Sequence, residues 1–210
     1  MRVFIIESPN PKDLLENRSE AEPLKYICHA MGHEVYSFLI RSHREFIDTC
    51  DYISSMDEGN NRTPKEPLCI HISSHGNDEG VVFGSDFLQW GEVAEGLNSI
   101  LTMGYKNDIF LIVSACGTNK QKISQKIKSM NQRNSKIKPP KYILLFDKES
   151  VNWDDAILSW TIIYHQIHRI DHNKKSDVMS LLDRIKVSEF GDLAYKRWDG
   201  EKYINYSPNV

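Results

Sequence analysis

No run of apolar residues in this chain approaches the roughly 20 that a membrane-spanning helix needs. The opening, MRVFIIESPNP, has one Arg and only a short apolar run before Glu7, so it reads as a first strand and not as a secretory leader. An excess of one charge is also missing. With 26 Lys and Arg against 29 Asp and Glu, the formal net charge is −3, which gives no basic field for nucleic acid. Cysteine is scarce and scattered, at Cys28, Cys50, Cys69 and Cys116, with no CxxC pair. Cys28-His29 with His33 lacks a second pair that would complete a structural zinc site. Without an export signal, reduced thiols in a cytoplasmic protein are expected. A glycine-rich phosphate loop is absent as well: ESPNPKD follows the first strand, a poor cradle for a nucleotide or flavin. Internal repeats, low-complexity tracts and linkers are not found, so residues 1–210 are read as one domain.

What is present is an alternation. RVFIIES, EVYSFLI, LCIHISS, IFLIVS and KYILLF are short, continuously apolar runs of the kind that form strands buried on both faces. Between them lie patterns of helical period: AEPLKYICHA ahead of Gly32, SHREFIDTCDYIS with Ser42 and Glu45 as a capping box, Glu92 to Leu101, and a basic helix from about Asn119 to Met130. A long helix is expected from Trp153 to Ile170, and a shorter one capped by Ser176. SSMDEGNNRTPKEP and NQRNSKIKPP read as surface loops, the second also considered as a processing site, and VVFGSDFLQW as a small hairpin. Strands alternating with helices predict a doubly wound α/β fold, a mostly parallel sheet with helices on both faces.

In such sheets ligands meet the carboxyl ends of the strands. One apolar run ends in Ser73-Ser74-His75-Gly76 and the next in Ser114-Ala115-Cys116-Gly117. Neighbouring strands run about 4.8 Å apart, which would set His75 beside Cys116. A general base next to a thiol is the pairing that nucleophilic catalysis uses. A helix starting near Thr118 or Asn119 would favour thiolate, and the backbone N–H groups of Gly76 and Cys116 would converge on an oxyanion.

With those residues in view, IHISSHGND, FLIVSACGT and NWDDAILSWTIIYHQI resemble the caspase-like cysteine peptidases, most closely their CHAT branch. The resemblance covers roughly Arg2 to Ile170. It implies a three-layer αβα caspase–haemoglobinase fold, a catalytic dyad of His75 and Cys116, and oxyanion donation from the backbone at Gly76 and Cys116. It implies no cofactor and no metal, and protein as the substrate. Two residues before the cysteine, where arginine-specific relatives carry an acid and caspases a glutamine, this chain has Ser114, so the motif carries no specificity over.

Other residues have bland and functional readings side by side. Asp147, Asp154 and Asp155 fit helix-dipole stabilisation or an acidic pocket for a basic substrate residue. His71, within a strand, fits a hydrogen-bonded core histidine; Cys28, Cys50 and Cys69 fit packing. His165, His168 and His172 fit core or solvated positions better than a metal cluster. Two function classes follow: a cysteine endopeptidase, or a silent interaction module on the same fold. For the peptidase, a chain with no room for a regulatory domain is expected to be held in check and activated in trans. A partner protein or sensor complex would do this, and CHAT-like relatives imply a defence system. Neither a membrane nor nucleic acid is expected as a partner.

Overall fold

A computed structural model describes residues 1–56, 66–118, 122–147 and 150–208. Residues 57–65 of the loop expected over Ser54 to Pro67, and the first residues of the basic helix, therefore lie outside the described residues. Strand β1 (Arg2–Ser8) is followed by a five-residue helix α1 (Pro11–Leu15), then α2 (Ala21–Ala30), β2 (Glu34–Leu39) and α3 (His43–Ser55). Next come β3 (Leu68–Ser74), the hairpin strands β4 (Gly80–Phe83) and β5 (Asp86–Gln89), and helices α4 (Trp90–Gly96) and α5 (Asn98–Thr102). The remaining elements are β6 (Ile109–Ser114), α6 (Lys122–Arg133), β7 (Tyr142–Phe146), α7 (Trp153–Gln166), α8 (Lys175–Val187), β8 (Leu193–Trp198) and β9 (Tyr203–Tyr206).

Seven strands form one sheet in the order β2-β1-β3-β6-β7-β8-β9. The first five are parallel, and β8 and β9 add antiparallel strands at one side. From β1 the chain steps one way to β2 and then the other way to β3, so the order reverses between β1 and β3. Alternate side chains serve opposite layers. Phe4, Ile6, Ile70, Ile72, Leu111 and Val113 pack under α3 to α6. Val3, Ile5, Phe110, Ile112 and Leu144 pack under α2, α7 and α8. Burial on both faces is why these strands are apolar throughout rather than alternating.

Several local expectations are corrected. The helix read from Glu92 to Leu101 is two, α4 and α5, meeting at Leu97. Helix α7 ends at Gln166, short of Ile170. Ser176 lies inside α8, whose N-cap is Lys174 without a side-chain cap bond; its hydroxyl turns to Asp177 instead. At α3 Ser42 caps as expected, but the Glu45 carboxylate accepts from Arg41 N–H and so leaves the reciprocal half of the box unmade. Helix α6 runs on to Arg133, so the loop read from Asn131 starts later. Among the described residues no helix is long and apolar enough to cross a membrane.

Candidate active site

Strands β3 and β6 pair in parallel with Ser73 opposite Ser114. His75 and Cys116 each stand two residues beyond that pair, so equal register carries them to the same sheet edge. Both line one cavity there, together with Ser73, Ser114 and the start of α7. The two loops that bear them touch through backbone. A methyl on Gly76 would lie 2.9 Å from the Gly80 carbonyl oxygen and 3.1 Å from Ala115 Cβ, closer than side chains tolerate. Gly117, at φ +61°, presents its α-carbon to Asn77. Two glycines thus permit the close approach of the His-Gly and Cys-Gly segments.

His75 has a partner that sequence reasoning missed. Its Nε2 lies 2.5 Å from Asp13 Oδ2. A carboxylate can only accept, so Nε2 donates its proton to Asp13, and in the neutral ring the lone pair that a base needs is then on Nδ1. Asp13 is buried, and is fixed in turn by a capping box at the head of α1. Asn10 Oδ1 accepts from Asp13 N–H at 2.9 Å, and Asp13 Oδ2 accepts from Asn10 N–H at 3.0 Å. Asn10 Nδ2 sits 3.0 Å from the same imidazole nitrogen. The ring edge of His75 also meets the Trp153 indole, with centroids 5.9 Å apart. The signal for Asp13 was present in Asn10-Pro11-Lys12-Asp13, a cap residue, Pro at N1 and an acid at N3, a pattern that reads as loop when only long helices are sought.

Cys116 is partly exposed, with its Sγ 3.7 Å from the Val151 carbonyl oxygen. The other three thiols are buried; burial pushes Cys28 and Cys69 up to about 12 and Cys50 upward as well. Of the four thiols Cys116 is the one partly exposed, and it shares its cavity with His75. The backbone amides of Gly76 and Cys116 have no protein acceptor among the described residues, which leaves them available as donors. The dipole of a helix starting at Thr118 or Asn119 cannot be assigned to the thiol, because the first described residue of α6 is Lys122.

Behind the thiol lies a second buried acid. Glu20 is 1 % exposed and lines the cavity. Ser114 donates to its Oε2 at 2.7 Å, and Trp160 Nε1–H donates to the same hydroxyl at 2.8 Å. Its Oε1 lies 2.6 Å from His71 Nε2, while His71 Nδ1 meets the Tyr164 hydroxyl at 2.8 Å. His71 is thus a core histidine, satisfied on both nitrogens. Glu7, whose carboxyl burial raises above the usual range, accepts from Glu20 and Ala21 N–H groups at 2.5 and 3.0 Å and so anchors the start of α2.

The three acids expected near a pocket lie at the end of β7 and the start of α7. Asp154 and Asp155 stand in the first turn of α7, where Asp154 accepts from Asp155 N–H and Asp155 from Asn152. Asp147 is exposed just past β7, its N–H bonded to the Asp192 carbonyl. None lines the cavity that holds His75 and Cys116. His165 is exposed, whereas His172 packs among Phe110, Tyr142 and Tyr195. No group of three His, Cys, Asp or Glu among the described residues is arranged to hold a metal.

No protein-family profile matches the chain, and no curated protein matches it in sequence. In solved structures it is similar to caspase-1 from Spodoptera frugiperda, with a TM-score of 0.53 over 87 % of this chain and 76 % of that one, at 11 % identity. At that identity the likeness is one of fold, and the fold is caspase-like.

Proposed function

We propose that this chain is a caspase-like cysteine endopeptidase in which His75 and Cys116 form the catalytic pair and Asp13 positions the imidazole. One observation carries the reading. His75 and Cys116 leave adjacent parallel strands at equal register and line the same cavity, with Nε2 of His75 held by a buried carboxylate. The resemblance of the His-Gly and Ala-Cys-Gly segments to the CHAT branch supports the same assignment.

In this mechanism Nδ1 of His75 takes the Cys116 proton, and the sulfur attacks the carbonyl carbon of the scissile peptide. The oxyanion forms against the amides of Gly76 and Cys116. As the tetrahedral intermediate collapses, the imidazolium returns its proton to the leaving amine and a thioester remains. Water, deprotonated by the same imidazole, then releases the acyl group. The Asp13 carboxylate holds the tautomer and stabilises the imidazolium between these steps. Activation in trans, by a partner protein or sensor complex of a prokaryotic defence system, belongs to the same reading.

The test is labelling by a peptidyl electrophile that needs an assembled cleft. Selective modification of Cys116, lost in His75→Ala, is expected. Peptide cleavage should vanish in Cys116→Ala and fall at least about a hundredfold in His75→Ala, the low end for loss of a general base. Equal labelling of all four thiols would instead mark a silent module. Full activity of the isolated chain would remove the gating and leave the chemistry.

A further inference from the structure

The cavity beneath Cys116 has a floor and walls of opposite character. Phe146, Val151, Trp153 and Ala156 supply apolar sides, while Glu20 and Ser73 reach it from below. Ser73 is 1 % exposed, and its Oγ has no hydrogen-bond partner among the described residues. Buried hydroxyls in folded proteins nearly always find a partner, and this unpaired one belongs to a residue that lines the cavity. The Glu20 carboxylate beside it is incompletely used. Its side-chain partners among the described residues are the Ser114 hydroxyl and the His71 imidazole, whereas a carboxylate has about four lone-pair sites.

Two side-chain donors orient Glu20. Trp160 can only donate, so Ser114 must pass its own proton to Glu20. The Tyr164 hydroxyl lies 2.8 Å from Nδ1 of His71 and 3.7 Å from Cys69 Sγ, and Nε2 of His71 donates to Glu20. The floor thus presents a carboxyl group in a water-poor site, where an opposite charge gains most. The space is small, about 50 Å³.

From this arrangement we infer that the cavity is a recognition pocket for a basic side chain, Lys or Arg, of the substrate residue whose carbonyl meets Cys116. The methylenes run between Phe146, Val151 and Ala156, and the cationic head donates to Glu20 and to the Ser73 hydroxyl. The assignment rests on the peptidase reading for its position next to the scissile bond, while the binding itself does not require catalysis.

The experiment uses the Cys116→Ala protein, which lacks the nucleophile, and short acetylated peptides that differ only in a last residue of Lys, Arg, norleucine or Asp. Calorimetric titration should show a Lys or Arg peptide binding at least about tenfold tighter than norleucine, with Asp the weakest, because a lost partner leaves the carboxylate buried and unpaired. Glu20→Gln on that background should reduce the preference to within about threefold. Ser73→Val, which removes a hydroxyl that bonds to nothing around it, should weaken the basic peptides several-fold and leave norleucine unchanged. It keeps the test valid if Glu20→Gln unfolds. Equal affinity for Lys, Arg and norleucine, or a preference that both variants leave intact, overturns the pocket. If basic peptides bind while the unmodified thiol neither cleaves nor labels, the pocket stands and the peptidase reading falls. If the intact protein cleaves after Asp or Leu, the peptidase reading stands and the pocket falls.

Discussion

Asp13 and His75 meet at 2.5 Å across 62 residues of sequence, the carboxylate 3 % exposed and the imidazole 40 % exposed. The buried member is thus fixed, and the accessible one is held by it. Asp13→Asn should lower kcat/KM about 10- to 100-fold, the range for groups that orient a reacting residue. The pH profile of Cys116 alkylation should move as well, which a purely structural loss would not produce. Asp13→Ala also removes a cap contact worth about 1 kcal/mol, so the two variants should differ in Tm as well as rate. Normal turnover with an unmoved profile in Asp13→Asn would falsify the positioning role.

The four thiols should separate by reactivity. Cys28, Cys50 and Cys69 are fully buried, and burial holds each protonated well above neutral pH. Iodoacetamide at about pH 7.5, a little below the free thiol range, should therefore modify Cys116 first, as mass spectrometry of the native protein would reveal. A variant that keeps only Cys116 should cleave with unchanged specificity, although each emptied core site costs on the order of 1 kcal/mol or more. A folded Cys69→Ala protein without activity would assign the nucleophile elsewhere.

Gly76→Ala should damage activity as well as stability. Its methyl meets the Gly80 carbonyl oxygen at 2.9 Å and Ala115 Cβ at 3.1 Å, which pushes the histidine loop from the cysteine loop. Gly117→Ala adds a left-handed backbone at φ +61°, a cost of about 1–2 kcal/mol. Both should lose more than about tenfold in kcat/KM, since small displacements of reacting groups are expensive, and both should lower Tm, Gly76→Ala by its clash and Gly117→Ala by backbone strain. Wild-type rates in Gly76→Ala would show that the loop contact does not set the distance.

Acid should weaken the fold through His172. Its Nε2 donates to the Ile167 carbonyl at 2.7 Å and its Nδ1 accepts from the Tyr195 hydroxyl at 2.8 Å, so the ring is neutral. Burial lowers its pKa, against a smaller opposing pull from the Ile167 carbonyl, Asp108 and Asp171. A depressed folded value means that the unfolded chain takes the proton first. The stabilisation is present above the unfolded histidine value of about 6.5 and is lost as pH falls through the folded one. Tm should drop between about pH 7 and 5, the window that opens at the unfolded value, and His172→Gln should flatten that slope. An unchanged slope would place the titration on another group.

The strands and the register of His75 and Cys116 were legible in the sequence because strands buried on both faces leave continuous apolar runs, and because each run stops at a His-Gly or Cys-Gly. Asp13 and Glu20 were not. Both are acids in polar stretches with no periodicity, and their burial arises only when the segments after β1 fold over the ends of β3 and β6. Asp147, Asp154 and Asp155 follow β7 toward the same sheet edge, which made them candidates; Asp154 accepts from the Asp155 N–H and Asp155 from the Asn152 side chain. The split of α4 from α5 was likewise hidden, since apolar residues continue across Leu97 in helical period.

The β4–β5 hairpin gives both halves of the site a common footing. At its base Val82 N–H donates to the His75 carbonyl at 2.8 Å, Asn77 N–H bonds the Gly80 carbonyl at 2.9 Å, and Gly117 rests on Asn77. At its tip Gly84 N–H reaches the Ser8 hydroxyl at 3.0 Å, and Asp86 accepts from His43 N–H at 2.9 Å. Like a bracket bolted to two walls, it spans from the end of β1 and the head of α3 to the jaws that hold imidazole and sulfur. The gap between those jaws is therefore set by how the bracket seats, and a force applied at its tip is felt at His75.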